Sequence, residues 1–163
     1  MTEAEKRQKR ACFTGHRPHK LHGLSEEKIK AMLRNEIQIA YDDGFRTFIT
    51  GMAMGVDIWA GELVLELRRE HPEIHLICAL PHVGFEDNWD EHWQDRYRSL
   101  IEQADLFRVI SQTKHRGVYQ IRNEWMVDHS ARVIAVYNGE AGGTQNTILY
   151  ADKKKVEVRQ IVI

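Results

Sequence analysis

The sequence predicts an α/β protein in which a mostly parallel sheet of about six strands lies between two layers of helices. Short apolar runs rich in β-branched and aromatic residues alternate along the whole chain with longer stretches whose apolar residues recur at helical spacing. Glycine-rich and polar turns follow only some of these short runs, which is typical of a ligand-binding edge in such a sheet. The 163 residues suffice for one domain and are few for two.

The composition is that of an ordinary globular protein, with 42% hydrophobic and 29% charged residues. A formal net charge of −1 argues against a domain that binds nucleic acid by bulk electrostatics, so nucleic acid is not an expected partner. The charged start lacks the apolar segment of a signal peptide, and no apolar run approaches the length of a membrane span. Cys12 and Cys78 lie in apolar stretches without CxxC spacing, which indicates neither disulfides nor a zinc site. These features predict a cytoplasmic protein without a membrane partner.

The expected elements follow one another without an internal repeat or linker. Residues 1–10 are charged and are expected to form a flexible N-terminal arm, whereas residues 11–163 form a single domain. The strands are predicted where apolar and β-branched residues cluster, at residues 11–13, 45–49, 74–80, 106–110, 132–137 and 156–163.

The helices between these strands are predicted from apolar residues spaced three or four apart. In the first, Ser25 is a suitable N-cap and Gly44 supplies the stop. The second follows a glycine turn and ends at Pro72. The remaining three contain, in order, Trp89, Trp93 and Tyr97; Val118, Ile121, Trp125 and Met126; and Ile148 and Leu149.

The glycine turn at residues 50–57 joins the second strand to its helix and contains Gly51 and Gly55. A helix that starts at such a turn presents unpaired N–H groups and a positive dipole end, and glycine lets a ligand approach closely, which suits a phosphate. The alternative is that the glycines only relieve backbone crowding, and the two explanations are compatible. Asp57 is placed either to bind a ribose hydroxyl or to accept from helix N–H groups as a first-turn acid.

Two further turns carry polar residues after predicted strands. Thr14, Gly15, His16 and Arg17 follow the first strand, and the Arg17 guanidinium fits a bidentate contact with phosphate. The turn after the fifth strand has the same character and contributes Gly142, Gly143, Thr144 and, one helical turn on, Asn146. Because ligands bind beyond the carboxyl ends of parallel strands, we expect the three turns to form one phosphate-binding pocket.

Three histidines, His16, His19 and His22, share one loop at intervals of three residues. Their number raises the question of a metal ion, which in proteins is often held by imidazole nitrogens. No cysteine or carboxylate cluster accompanies them, and isolated loop histidines are common. No metal site is therefore predicted.

Three segments of the chain resemble a known group of proteins. The run Thr50-Gly51-Met52-Ala53-Met54-Gly55-Val56-Asp57 resembles the nucleotide-site turn of DNA-processing protein A. The run Thr14-Gly15-His16-Arg17-Pro18 sits where that family and its relatives have a Gly-Ser-Arg-type turn. Together with residues 141–147, these runs are similar to a SLOG-type, Rossmann-like domain.

The similarity is greatest to the small, stand-alone YpsA-like proteins of the SLOG superfamily. They share the Thr-Gly-His-Arg-Pro opening, a tryptophan-rich helix and a Tyr-x-x-Arg-Asn-x-x-Met-Val segment. These motifs stand here as Trp89, Trp93, Gln94 and Tyr97, and as Tyr119, Arg122, Asn123, Met126 and Val127. The resemblance covers almost the whole chain from Ala11 on.

The resemblance implies a Rossmann-like, three-layer αβα sandwich that binds a nucleotide or nucleotide-derived ligand as a sensor or regulatory protein. The ligand class is ADP-ribose, NAD or a nucleoside monophosphate, and no other cofactor is implied. A homo-oligomer is compatible with such a domain, and Arg122 and Asn123 could reach either the site or a partner subunit. The expected ligand-binding residues are Thr14, Gly15, His16, Arg17, Gly51, Met52, Gly55, Asp57, Arg122, Asn123, Gly142, Gly143, Thr144 and Asn146.

Two other functions stay open at this point. Relatives that hydrolyse the N-glycosidic bond of nucleotides resemble Pro-Gly-Gly-x-Gly-Thr-x-x-Glu at the last turn, where this chain has Ala141, Gln145 and, in place of the glutamate, Leu149. Without that carboxylate, Glu62 and Glu124 are the remaining candidates for a general base. The resemblance to DNA-processing protein A also raises single-stranded DNA binding, which needs a basic groove with aromatic platforms.

Overall fold

The computed structural model describes all 163 residues and confirms the predicted α/β architecture. The strands are β1 (Arg10–Gly15), β2 (Thr47–Thr50), β3 (His75–His82), β4 (Leu106–Ser111), β5 (Arg132–Tyr137) and β6 (Glu157–Val162). The helices are α1 (Glu3–Arg7), α2 (Glu26–Asp42), α3 (Val56–Glu70), α4 (Glu91–Gln103), α5 (Val118–Asp128) and α6 (Gly143–Lys153). A single 3₁₀ turn covers Pro18–Lys20.

All six strands are parallel and lie in the order β4-β3-β2-β1-β5-β6. The chain builds outward from β1 to β4 on one side, then crosses back to add β5 and β6 on the other. The direction of winding therefore reverses between β1 and β5, which is where doubly wound sheets open a crevice. The glycine-rich and polar turns predicted to form the site follow β2, β1 and β5, three neighbouring strands.

The helices form one layer on each face of the sheet. Helix α3 packs against both α2 and α4, and α5 packs against α6. The two groups cover opposite faces, because α2, α3 and α4 contribute side chains to one apolar core and α5 and α6 contribute to the other. None of the helices has the length and apolar character needed to cross a membrane.

Both faces of the four inner strands, β3, β2, β1 and β5, are buried, and each face carries its own apolar core. The larger core contains 28 buried residues, including Phe13 and Phe48, whose rings stack with centroids 6.0 Å apart. The smaller core of 10 buried residues contains Cys12, the strand neighbour of Phe13, because successive side chains of a strand point to opposite faces. Burial raises the pKa of the Cys12 and Cys78 thiols to about 12, so both cysteines act as small core residues.

The N-terminal segment, expected as a flexible arm, contains helix α1 and contacts the domain. Thr2 and Glu5 form a reciprocal capping box at its start. The Arg7 side chain donates to the Ser130 carbonyl over 3.1 Å, and Arg10 at the start of β1 pairs with Glu3. The charged composition suggested a flexible arm. Composition does not show that Thr2 and Glu5 are spaced to cap a short helix.

Trp89 was predicted to belong to the third long helix, but it lies before α4. Asp90 is the N-cap there, and its carboxylate accepts from the Trp93 N–H over 3.0 Å. Trp89 instead packs edge-to-face on Phe85 and Tyr97, with ring centroids 5.0 and 5.5 Å apart. The four-residue spacing of Trp89 and Trp93 therefore does not reflect one helical stripe.

Helices α2, α3 and α4 are joined by a network of ion pairs around Arg96. The Arg96 guanidinium contacts Glu26 of α2 and Glu62 of α3, and Lys30 contacts the same two carboxylates. The guanidinium also lies 5.0 Å from the centroid of the Trp93 ring. Every charge of this network has a partner, which indicates a structural role in holding the helical layer together.

Arg96→Ala is expected to lower the free energy of unfolding by about 1–3 kcal/mol, because two half-buried carboxylates lose the guanidinium that bonds to both and keep only Lys30. Arg98→Ala is the matched control on the same helix, since Arg98 forms only an exposed pair with Asp95, and it is expected to change stability by less than about 0.5 kcal/mol. Urea denaturation of the two variants measures both effects. Equal losses of stability in Arg96→Ala and Arg98→Ala would contradict the structural role of the network.

Candidate functional site

A cleft of about 300 Å³ opens at the carboxyl end of the sheet, over β2, β1 and β5. We call it the rim cleft. Its walls come from the turns after these three strands and from the start of α5. The residues that line it are Thr14, Gly15, His16, Arg17, His19, Lys20, Ala53, Asp57, Tyr119, Arg122, Asn123, Gly143 and Thr144.

The turn after β1 lies directly on the first turn of α3. A Cβ atom at Gly15 would stand 2.5 Å from Cγ1 of Val56, so only glycine permits this approach. Gly55, the N-cap of α3, has φ +90°, and a Cβ there would lie 2.9 Å from Cδ of Pro18 and 3.2 Å from the His16 carbonyl oxygen. Packing therefore requires both glycines, whatever they contribute to ligand access.

The turn after β2 is held by its own polar groups. The Thr50 hydroxyl donates to the Asp57 carbonyl over 2.7 Å and so ties the strand end to the start of α3. Met52 is fully buried with φ +66°, an unusual conformation for a residue with a side chain. A Cβ at Gly51 would meet both Asp57 Oδ2 and Arg122 Cζ at 3.0 Å. Gly51 therefore makes room for these two charged side chains without itself lining the cleft.

The turn after β5 is hydrogen-bonded to the turn after β1. The Asn138 N–H donates to Nε2 of His16 over 3.1 Å, and the Asn138 side-chain amide donates to the Lys20 carbonyl over 3.2 Å. Burial, with a smaller contribution from Lys20, lowers the pKa of His16, which agrees with an unprotonated Nε2. His22 pairs with Glu140 instead, so the loop histidines do not converge on a common point.

Arg122 enters the cleft from α5 and is almost completely buried, with 5% of its surface exposed. Its Nε donates to Asn123 Oδ1 over 2.8 Å, and its Nη1 donates to the Gly51 carbonyl. The guanidinium lies 5.7 Å from the centroid of the Phe85 ring, and burial lowers its pKa. The sequence left open whether Arg122 and Asn123 reach the site or a partner subunit, and both line the cleft.

Asp57 is the only carboxylate that lines the cleft, and it is 6% exposed. Its Oδ2 accepts over 3.2 Å from the Ala53 N–H, which belongs to the turn before α3 and not to the N–H groups of the helix itself. Its Oδ1 is buried without any hydrogen-bond partner. Burial raises the pKa of Asp57 from 3.8 to about 6, although nearby Arg122 opposes the shift.

The helices that begin at the cleft lack side-chain caps. Helices α3 and α6 start at Gly55 and Gly142, and neither N-cap supplies a side-chain hydrogen bond. Helix α5, whose start forms another wall of the cleft, likewise has a glycine N-cap, Gly117, without a side-chain hydrogen bond. Helices α1, α2 and α4 are capped by the side chains of Thr2, Ser25 and Asp90. Since the first N–H groups of a helix need acceptors, the starts of α3 and α6 suit an anionic group.

The cleft is electropositive. Arg17, Lys20 and Arg122 line it against the single carboxylate of Asp57. The Arg17 guanidinium lies 5.9 and 6.0 Å from the ring centroids of Tyr119 and Phe85. This combination of guanidinium groups, uncapped helix starts and an aromatic ring can hold a phosphate and a neighbouring planar group.

Several lining residues were not predicted from the sequence. They are His19, Lys20, Ala53 and Tyr119. Tyr119 precedes Arg122 by three residues, and this spacing on a helix was a usable signal that both share a face. Lys20 had no such signal: it reaches the cleft because the 3₁₀ turn brings its Nζ to 3.4 Å from where a Cβ of Gly142 would stand.

Other predicted residues lie beside the cleft without lining it. Gly55 and Gly142 form the N-caps behind its wall, Met52 belongs to the core, and Asn146 is exposed on α6. The two candidate general bases also lie elsewhere. Glu62 is part of the Arg96 network, and Glu124 accepts from the Gln120 amide over 3.0 Å. The cleft therefore contains neither acid that the hydrolase hypothesis assigned.

Comparisons with known proteins agree with the resemblance seen in the sequence. The model of the YspA SLOG family matches residues 11–163. A UPF0398 protein of Brevibacillus brevis is 30% identical over 157 residues, covering 91% of this chain and 83% of that protein. A UPF0398 protein of Bacillus thuringiensis (strain Al Hakam) is 30% identical over 154 residues, covering 90% and 84%.

Two solved structures share the fold. DNA processing protein A of Streptococcus pneumoniae aligns with a TM-score of 0.64 at 13% identity, over 95% of this chain and 50% of that one. The Helicobacter pylori protein, described for its single-stranded DNA binding mode, aligns with a TM-score of 0.67 at 17% identity, over 97% of this chain and 66% of that one. This chain thus spans about half of the pneumococcal structure.

Gly55→Ala is expected to lower the free energy of unfolding by at least about 3 kcal/mol, because alanine there is strained at positive φ and also collides with Pro18. Gly139→Ala is the matched control: Gly139 has φ +89° but open space around its Cα, so only the backbone penalty of about 1 kcal/mol applies. Chemical denaturation compares the two variants. Equal losses would mean that the contact between the two turns is not close.

Asp57→Asn is expected to stabilise the unliganded protein at pH 7.5 by up to about 3 kcal/mol, because the buried carboxylate is ionised there at a cost. The folded-state pKa of about 6 lies above the ordinary 3.8, so this cost disappears as the pH falls from about 6 to 4 and the folded protein takes up the proton first. Urea denaturation of the wild type and the variant at pH 7.5 and at about pH 4 measures the difference in stability at each pH. A variant less stable than the wild type at pH 7.5 would contradict this account.

Proposed function

The chain belongs to the YspA SLOG family, and from this membership and the geometry of the rim cleft we propose that the protein binds a nucleotide or nucleotide-derived ligand as a sensor or regulatory module. The expected ligand classes are ADP-ribose, NAD and the nucleoside monophosphates. The phosphate would lie near the starts of α3 and α6, between the turns that follow β1 and β5.

One observation carries the proposal: the helices that begin at the cleft, α3, α5 and α6, have no side-chain caps, and basic side chains outnumber acidic ones beside them. A phosphate accepts hydrogen bonds from helix N–H groups and from guanidinium and ammonium groups at once. Arg17 makes no hydrogen bond or ion pair with the protein, so its guanidinium is available for such a contact. The Lys20 ammonium, which comes from the same loop and lines the cleft, also forms no hydrogen bond or ion pair.

The dimensions of the cleft support a small ligand. Its volume of about 300 Å³ lies at the lower end of the range of about 300–1,000 Å³ for small-molecule sites. Tyr119 supplies an aromatic face, and Asn123 supplies amide hydrogen-bonding groups. These groups suit the sugar and base of one nucleotide unit, and a larger ligand such as NAD would extend into solvent.

Binding is favoured over hydrolysis of the N-glycosidic bond. Hydrolysis of a glycosidic bond ordinarily uses a pair of carboxylates that flank the bond. Asp57 is the only carboxylate that lines the cleft, and neither Glu62 nor Glu124 accompanies it there. Single-stranded DNA binding is suggested by the resemblance to DNA-processing protein A and by the description of the Helicobacter pylori fold neighbour. The basic groups here are confined to a cleft of mononucleotide size, which favours a small molecule.

In a thermal-shift assay, AMP, ADP-ribose or NAD at about 100 times its dissociation constant is expected to stabilise the wild type by about 2.7 kcal/mol. Arg17→Gln is expected to weaken binding roughly 10- to 100-fold, because a charged hydrogen bond to phosphate is lost. Arg34→Gln is the matched control, since Arg34 forms only an exposed pair with Glu66 on the helical layer.

No stabilisation by any nucleotide of the panel at millimolar concentration would overturn the proposal. Two further measurements test the other functions. Release of free base from a nucleoside monophosphate would show a hydrolase. Affinity for an oligonucleotide that exceeds the mononucleotide affinity and falls steeply between two salt concentrations would indicate DNA binding.

A further inference from the structure

We infer that Asp57 accepts a hydrogen bond from a sugar hydroxyl of the ligand, so that the rim cleft selects ribonucleotides over their deoxy counterparts. This inference rests on the proposed function and specifies the ligand class of the same site. It also assigns the two ends of the ligand to different walls of the cleft.

The unpartnered oxygen of Asp57 is the first observation. Oδ2 already accepts from the Ala53 N–H, but Oδ1 is buried and has no partner, in a side chain that lines the cleft. Buried polar atoms are almost always hydrogen-bonded. Of the four buried side-chain atoms that lack a partner in this protein, Asp57 Oδ1 is the only one that belongs to a residue lining the cleft. An ionised carboxylate only accepts, and the partner that Oδ1 lacks must therefore be a donor.

No neighbouring side chain supplies that donor. Arg122 is the nearest cation, yet its Nε donates to Asn123 and its Nη1 to the Gly51 carbonyl. Arg122 therefore moderates the charge of Asp57 without bonding to Oδ1. The raised pKa of Asp57 agrees with this geometry, because a fully hydrogen-bonded carboxylate would be stabilised in its ionised form.

The chemistry of nucleotides identifies the donor. Phosphate oxygens are anionic acceptors, and a carboxylate repels them. The phosphate is therefore expected beside Arg17 and Lys20, where it can accept from the N–H groups at the starts of α3 and α6 without lying against Oδ1. The ribose hydroxyls are the donors nearest to a phosphate in a nucleotide, and they would then face Asp57 at the start of α3.

The test is calorimetric titration with AMP, 2′-deoxy-AMP and 3′-deoxy-AMP at pH 7.5. The wild type is expected to bind AMP roughly 10- to 100-fold more tightly than at least one deoxy analogue, the usual effect of one hydrogen bond to a charged group. In Asp57→Asn, the side-chain carbonyl can still accept from Ala53, but the second group is a donor. This variant is expected to bind AMP and the deoxy analogues within about threefold of each other.

Asp95→Asn is the matched control, because Asp95 is exposed on α4 and does not line the cleft. It is expected to keep the wild-type preference for AMP. Inosine monophosphate completes the panel, since it retains the ribose but lacks the exocyclic amino group of adenine.

The outcomes separate this inference from the proposed function. If the wild type binds AMP and both deoxy analogues equally, nucleotide binding stands and the role of Asp57 is overturned. If binding is lost with inosine monophosphate but not with the deoxy analogues, the partner of Oδ1 is a base amino group and the inference is again wrong. If no nucleotide binds, the proposed function fails, and this inference fails with it.

Discussion

The close approach of the turn after β1 to the first turn of α3 is the contact on which the rim cleft depends. Gly15 lies against Val56, and Gly55 lies against Pro18 and the His16 carbonyl, at distances that leave no room for a Cβ. A side chain at either position would push the loop that carries Arg17 and Lys20 away from the helix start. Packing alone thus accounts for both glycines. The argument for a ligand therefore rests on the polar atoms that packing does not use.

Those atoms stand out when the cleft is compared with the charged network around Arg96. Around Arg96, every carboxylate and cation has a partner, and the network joins three helices. In the cleft, Asp57 and Arg122 are more deeply buried, yet they form no ion pair, and one oxygen of Asp57 bonds to nothing. Burying charge without full hydrogen bonding is destabilising. A ligand that donates a hydrogen bond to the unpartnered oxygen of Asp57 would offset this cost.

The fold was predictable from the alternation of strands and helices, because both faces of a parallel sheet must be covered. The convergence of the three turns was expected only from the general rule for such sheets, since strand order is a long-range property. Composition and residue spacing predicted the bounds of individual helices less well. The capping box at Thr2 gives α1 where charge suggested an arm, and the Asp90 cap excludes Trp89 from α4. Lys20 reaches the cleft through tertiary contacts that no spacing in the sequence reveals.

The start of α3 shows why one ligand with two kinds of group fits the cleft better than a simple anion. A serine or aspartate cap cannot replace Gly55, because it would need φ +90° and would collide with Pro18. Oδ2 of Asp57 accepts from the Ala53 N–H, and Oδ1 has no hydrogen-bond donor. An inorganic phosphate would supply acceptors to the helix N–H groups and basic side chains, but no sugar hydroxyl for Oδ1. A phosphorylated sugar supplies both, so the polar groups left over from folding match a nucleotide more completely than a bare anion.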